Sequence, residues 1–169
     1  SSILAGNPAP QDEKLFENGS FPFVRTSDVG KIKFGVINET RDSLNESGIT
    51  RLPKFKKGSI LFPKSGASTL LNPRVMLGMD AYVASHLAVI KADEDKMLDQ
   101  FLSYMLFHVD SAKIVNDPSY PSLNLSKIKN ISIPNPTLNI QQEIVNELEV
   151  YQKIIDGCKQ VIENCKATI

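Results

Sequence analysis

The sequence predicts an α+β fold: a compact body of mixed β-sheet and helices, carrying a long C-terminal coiled-coil helix. Three observations lead there. Short apolar runs bounded by glycine, proline or asparagine recur through the first half of the chain. Met97, Leu98, Phe101, Leu102, Met105, Leu106 and Val109 repeat at helical spacing. After Pro136 the apolar positions Ile144, Leu148, Tyr151, Ile155, Cys158, Ile162 and Cys165 advance in steps of 4, 3, 4, 3, 4 and 3. That alternation is a heptad seam, which wants a partner helix. At about 1.5 Å per residue, a helix of roughly 30 residues reaches about 45 Å, so residues 1–136 form the body and 137–169 an arm. Val145, Val150, Ile154 and Val161 widen the apolar face. On the residues alone the helix could also pack on its own body.

The totals are those of one ordinary globular domain: 169 residues, 41% hydrophobic, 22% charged and no net charge. Zero net charge argues against coating nucleic acid through bulk charge, while leaving room for a local basic face. No apolar run reaches the roughly 18 residues that span a bilayer, and no basic-then-apolar leader is visible. The first residue is not methionine, which suggests an excised fragment. Cys158 and Cys165 stand about 10 Å apart along one helix face, too far to bond each other. With His86 and His108 far off in sequence, no zinc set forms, and a cytoplasmic, reducing setting is expected. The sequons at Asn38, Asn45, Asn124 and Asn130 then carry no sugar.

In chain order, Ser1 to Asn18 reads as an opening loop. Phe21 to Arg25 is a short strand, Thr26 to Gly30 a turn, and Lys31 to Ile37 a second strand. Glu39 to Ser47 is weakly helical and stopped by Gly48. Lys57 to Phe62 is a strand opened by a glycine turn, and Val75 to Leu77 and Ala81 to Lys91 are further strands. Asp93 reads as the N-cap of the helix that follows. Asp117 to Leu125 is a loop with Tyr120 exposed, and Ile131 to Pro136 a proline-punctuated strand.

The stretch between Ser47 and Met79 contains no acid, yet holds Arg51, Lys54, Lys56, Lys57, Lys64 and Arg74. Within it, Pro63 to Thr69 is a small-residue loop offering amides, hydroxyls and one lysine. Gly66 suggests a positive φ or a close approach to a partner. Such a loop can set donors against phosphates or base edges. On residues alone it is equally a surface hairpin with ordinary lysines. It lacks the order of a nucleotide-binding P-loop.

Catalytic motifs do not assemble. Asp117-Pro-Ser-Tyr120 looks like the Asp-Pro-Pro-Tyr of adenine amino-methyltransferases, but no glycine-rich cofactor loop follows an earlier strand. Glu94-Asp-Lys96 has nuclease-type residues at a helix start, without an upstream partner. His86 reads as a hydrogen-bonded core or edge residue, and His108 as a cation near a helix end. No serine–histidine–acid set and no metal cluster stands out, so neither enzyme activity, cofactor nor metal is expected.

Four segments in order resemble one family. Phe21-Pro-Phe-Val-Arg-Thr-Ser-Asp-Val29 is similar to the opening of the target-recognition domains in type I restriction–modification specificity subunits. Lys57-Gly-Ser-Ile-Leu-Phe-Pro-Lys-Ser-Gly-Ala67 resembles their glycine-turn strand and loop. Ala81 to Ile90 resembles their next strand. Pro121 to Pro134, followed by Gln141, Gln142 and Ile144, resembles the run into their long spacer helix.

The resemblance implies a non-catalytic module that reads one half of a split sequence in double-stranded DNA. It would direct a separate methyltransferase subunit, and through it a nuclease subunit. The seam Ile144, Leu148, Tyr151, Ile155, Cys158, Ile162 and Cys165 would pair with a second recognition half or with a like chain as a homodimer. Lys54, Lys56, Lys57 and Lys64 are the expected phosphate contacts. Arg25, Ser27, Lys64, Ser65, Ser68, Tyr120 and Ser122, with Thr26 and Gly66 beside them, are the expected base-reading set. A complete family subunit has two such domains and two helices, and this sequence has one of each. The recognition end of a fused restriction–methylation enzyme and a coiled-coil protein-interaction module are the alternatives.

Overall fold

The computed structural model describes residues 1–167. Thr168 and Ile169, the end of the arm range 137–169, lie outside the described residues. Among the described residues eight strands form two sheets. The larger is ordered β1 (Ser2–Ala5), β8 (Leu87–Lys91), β5 (Ile60–Pro63), β6 (Arg74–Leu77), β3 (Phe34–Ile37). The smaller is ordered β4 (Asp42–Leu44), β2 (Phe21–Val24), β7 (Tyr82–Val83).

The central strands of the larger sheet are buried on both faces. Side chains alternate along a strand, so Leu61, Leu87 and Val89 face one way and Ile60, Phe62, Ala88 and Ile90 the other. The first group joins Val24, Val29, Ile37, Val75 and Val83 in one core. The second joins Leu102 and Leu106 of α3 (Asp99–Phe107) and Ile128 of α4 (Leu125–Lys129). Burial on both faces explains why these strands read as continuous apolar runs. A third cluster, Phe23, Leu44, Tyr82 and Ala84, lies on the smaller sheet.

Several sequence expectations are corrected. Residues 1–18 are not only a loop: β1 pairs antiparallel with β8, Ile3 opposite Ile90. Thr26 to Gly30 is no turn but most of α1 (Thr26–Ile32), because Asp28 accepts the N–H of Arg25 at 2.9 Å and Val29 is buried. The second strand therefore starts only at Phe34. Glu39 to Ser47 holds β4 rather than a helix; α2 (Glu46–Ile49) follows and includes Gly48. Ala81 to Lys91 is broken at Ser85 and His86, where Leu87 N–H turns back to the Ala84 carbonyl at 3.0 Å. Asp93 is not the cap of α3, whose N-cap is Leu98. Ile131 to Pro136 pairs with no strand; its apolar side chains Ile131 and Ile133 pack on the core beside α4.

The long helix is present as α5 (Leu138–Ala167), 30 residues and hence about 45 Å. Its first turns pack on the body through buried Gln141 and Val145, with Ile144 and Leu148 half-buried. Beyond them Tyr151, Ile155, Cys158, Ile162 and Cys165 are exposed, as are Val150, Ile154 and Val161. Both cysteines are free thiols. Among the described residues no helix is long and apolar enough to cross a membrane.

Candidate nucleic-acid interface

The predicted DNA-contacting residues fall into three groups in space. The first surrounds the C-terminal end of β5. Lys64 N–H donates to the His86 carbonyl at 2.9 Å, and the Lys64 carbonyl accepts Leu123 N–H at 2.8 Å. Ser65 bridges Ser122 in an antiparallel pair, and Gly66 N–H donates to the Pro121 carbonyl at 3.0 Å. Gly66 has φ 77°, the left-handed conformation that glycine adopts without strain. Ser68 Oγ closes the loop onto the Ser65 carbonyl at 3.3 Å. Two loops far apart in sequence, 64–69 and 117–124, are thereby fastened into one surface. Tyr120 stands at its rim, 82% exposed. Lys64 forms no ion pair among the described residues, so its charge is available.

The second group is Arg25, Thr26 and Ser27, where β2 runs into α1. β2 ends beside Ala84, whose N–H donates to the Val24 carbonyl at 2.9 Å. Arg25 is therefore near the turn that carries His86, but its guanidinium is engaged. It pairs with Asp42 and sits 5.4 and 5.3 Å from the ring centroids of Phe16 and Phe23. Ser27 is exposed and Thr26 half-buried.

The third group lies beyond the other end of β5, separated from the first by roughly 13 Å of strand at about 3.3 Å per residue. Lys54 and Lys56 approach Asp80 at 3.7 and 3.1 Å, and Lys57 N–H donates to the same carboxylate at 3.0 Å. That backbone N–H and the Lys56 ammonium hold the Asp80 carboxyl below the usual carboxylate range. Asp80 is the first acid after the acid-free stretch and tempers its charge. Gly58, φ 83°, turns the chain here against the Asp99 carboxylate, leaving no room for a Cβ.

Arg74, counted with the basic stretch, is not at the surface. It is fully buried over the Phe62 ring, 3.5 Å from the centroid. It donates to the carbonyls of Pro73, Leu106 and Val109, to Asn72 Oδ1 and to Ser111 Oγ. Burial lowers its pKa to about 9, against the pull of Asp110, so the group is still a cation at neutral pH. No local pattern marks this role, since a buried arginine is set by what closes over it.

His86 lies outside the set of DNA contacts expected from the sequence. Its Nδ1 lies 2.7 Å from Ser65 Oγ, and the ring is exposed. The expectation of a hydrogen-bonded edge residue holds. Its place in the fastened surface was visible only as Ser-His within a segment read as one strand. Among the described residues no group of His, Cys, Asp or Glu is arranged to hold a metal ion.

Comparison with known proteins follows the same lines. The sequence model of the type I restriction modification DNA specificity domain matches residues 2–164. The specificity subunit of the type I restriction enzyme MjaIX from Methanocaldococcus jannaschii is 34% identical over 171 aligned positions, covering 95% of this chain and 38% of the relative. A chain from a structural study of complex assembly and conformational transition in a type I R-M system superposes with a TM-score of 0.73 at 18% identity, covering 94% of this chain and 37% of its own length. The HsdS subunit from Thermoanaerobacter tengcongensis gives 0.69 at 16% identity over 95% of this chain and 37% of its own. At those identities the superpositions speak for the α+β fold, and this chain spans about two-fifths of each relative. The family assignment rests on the sequence matches: the chain belongs to the type I restriction modification DNA specificity domain family.

Proposed function

We propose that this chain reads one half of a split sequence in double-stranded DNA, as a non-catalytic specificity module of a type I restriction–modification system. The observation that carries the reading is the fastened pair of loops at the end of β5. Lys64, Ser65, Ser68 and Ser122, with Tyr120 at the rim, present a cation, hydroxyls and an aromatic ring from a rigid frame. Hydroxyls and a fixed lysine suit base edges and phosphates, and a fixed frame suits discrimination between bases. Lys54, Lys56 and Lys57 would touch phosphates farther along the duplex, and Arg25, Thr26 and Ser27 would flank the reading loops.

Residues 1–136 serve as the recognition body and 137–169 as the spacer arm. The exposed seam of the arm supports pairing with a second recognition half or a like chain, fixing the distance between two half-sites. Assembly with a methyltransferase subunit, and with a nuclease subunit through it, belongs to the same proposal. The named relative is a specificity subunit, which does not favour the fused single-chain alternative.

Selection from a randomised duplex pool tests the reading, with the chain alone and with a candidate methyltransferase partner. Enrichment of a short half-site, singly or as two copies at fixed spacing, is the expected result. A folded chain that enriches nothing in either condition would overturn it.

A further inference from the structure

We propose that His86 is a base-reading residue, its ring fixed by Ser65 and its Nε2 carrying the proton. This rests on the DNA-recognition reading above and adds a contact outside the set expected from the sequence. The two side chains join elements that are otherwise separate: Ser65 follows β5, and His86 sits in the turn between β7 and β8. Their backbones are already registered by the Lys64 N–H to His86 carbonyl bond at 2.9 Å. The side-chain bond, 2.7 Å from Ser65 Oγ to Nδ1, then fixes the plane of the imidazole. Ser65 is itself pinned to Ser122 across the loop pair. Nε2 has no partner among the described residues, and the ring is exposed at the start of the loop that carries Lys64 and Ser65.

The chemistry follows from the tautomer. When the Ser65 hydroxyl donates to Nδ1, the ring proton of neutral histidine resides on Nε2, which becomes a fixed N–H donor. In the major groove a lone donor is matched by an acceptor: guanine N7 or O6, adenine N7, or thymine O4. Cytosine offers a donor there and is rejected. The Ser65 oxygen, its proton committed, keeps acceptor capacity for an amino group on a neighbouring base. A serine–histidine bond is also the start of a nucleophilic pair, but among the described residues no carboxylate bonds the ring. Toward the base that Nε2 meets, Ser65 acts as a positioning residue and His86 as the contact.

The test selects from one randomised duplex pool in parallel with the wild-type chain and with His86→Ala, His86→Gln and Ser65→Ala, and then measures affinity across a salt series. For His86→Ala we expect the wild-type motif with the preference lost at a single base pair. Discrimination there should fall about tenfold, the size of one specific hydrogen bond, with the salt slope unchanged. His86→Gln places an amide donor near the position of Nε2 and should restore part of the preference. Ser65→Ala leaves the ring without its anchor and should weaken the same position by a smaller factor. Should His86→Ala fail to fold, the other two variants carry the test at that same position.

An unchanged motif in the histidine variants would overturn the inference. So would a uniform loss of affinity with the salt slope reduced by about one, the mark of a phosphate contact. The wild-type arm separates the two levels: absence of any motif there overturns DNA reading as a whole, whereas a wild-type motif that survives in the variants overturns only the role of His86.

Discussion

The side-chain carbonyl of Gln141 accepts the backbone N–H of Leu98 at 2.9 Å, so the start of α3 is capped by a residue of the arm. The same amide group donates to the carbonyls of Lys96 at 2.9 Å and Pro136 at 2.8 Å. Gln141 is fully buried. The helix therefore leaves the body from a fastened elbow, and the geometry of that elbow sets the direction of everything beyond it. Gln141→Ala strands the Leu98 amide and should cost about 2–3 kcal/mol. Thermal melting should fall by several degrees, and the Leu98 amide should exchange faster with solvent. Gln142→Ala, at the exposed neighbour, should stay within about 0.5 kcal/mol of wild type.

Arg74 ties β6 to the end of α3 and to Ser111. Removing it takes the side-chain donor from the Val109 carbonyl and from Ser111 Oγ and empties the space over the Phe62 ring, while the Leu106 carbonyl keeps the Val109 N–H at 3.1 Å. Arg74→Ala should therefore destabilise by about 3–5 kcal/mol, read by urea unfolding. Arg74→Lys should recover less than half of that, because one ammonium cannot span acceptors arranged around a planar fork. A variant as stable as wild type would show that the buried network carries no net stability.

Asp80 offers a test of the lysines around it. If Lys54 and Lys56 meet phosphates, their ammonium groups must first leave this carboxylate. Asp80→Asn should then raise DNA affinity, with the gain shrinking as salt is added. The Lys56→Ala/Lys57→Ala/Lys64→Ala chain should lose about three phosphate contacts from the salt slope.

The same carboxylate has a pH signature. Its folded pKa lies below the ordinary value, so its contribution to stability is present above the unfolded pKa. It is lost as pH falls through the folded value. Melting curves of wild type and Asp80→Asn should therefore differ most near neutrality and converge in acid. The gap will be small, because the carboxylate faces water.

The distal arm makes a prediction about association. Ile155 and Ile162 are 48% and 54% exposed, and in the described chain nothing covers them. Pairing buries them, at about 1.5–3 kcal/mol each. Sedimentation should show self-association of the wild-type chain. Ile155→Glu with Ile162→Glu should weaken it at least a hundredfold while leaving the melting of the body unchanged. A wild-type chain that is monomeric with and without DNA would remove homodimer pairing.

Legibility in the sequence tracked how locally each feature is determined. Ile60 to Phe62 and Val75 to Leu77 read as strands because burial on both faces leaves an apolar run with turn signals around it. The arm was legible because a heptad needs no distant residue to be recognised. By contrast, Thr26 to Gly30 has the composition of a turn, and the burial of Val29 against the sheet tips it into a helix. Asp93 has every property of an N-cap. The helix nevertheless begins later, at Asp99, with the part-buried Leu98 amide satisfied by Gln141 from 43 residues away.

By itself, the sequence determined the α+β class, the central strands, the long helix and the family resemblance. These follow from periodicity, turn residues and segment order, which are properties of neighbours along the chain. Only the tertiary structure decided which candidate residues stand together. It fastened Lys64 to Ser68 against Pro121 to Leu123, and set Lys54 to Lys57 apart around Asp80. It also buried Arg74 and brought His86 to Ser65. The physical reason is that strand pairing and hydrogen bonds between distant loops set these meetings. A charge or a hydroxyl looks the same in sequence whether the fold turns it to solvent, to a partner or to the core.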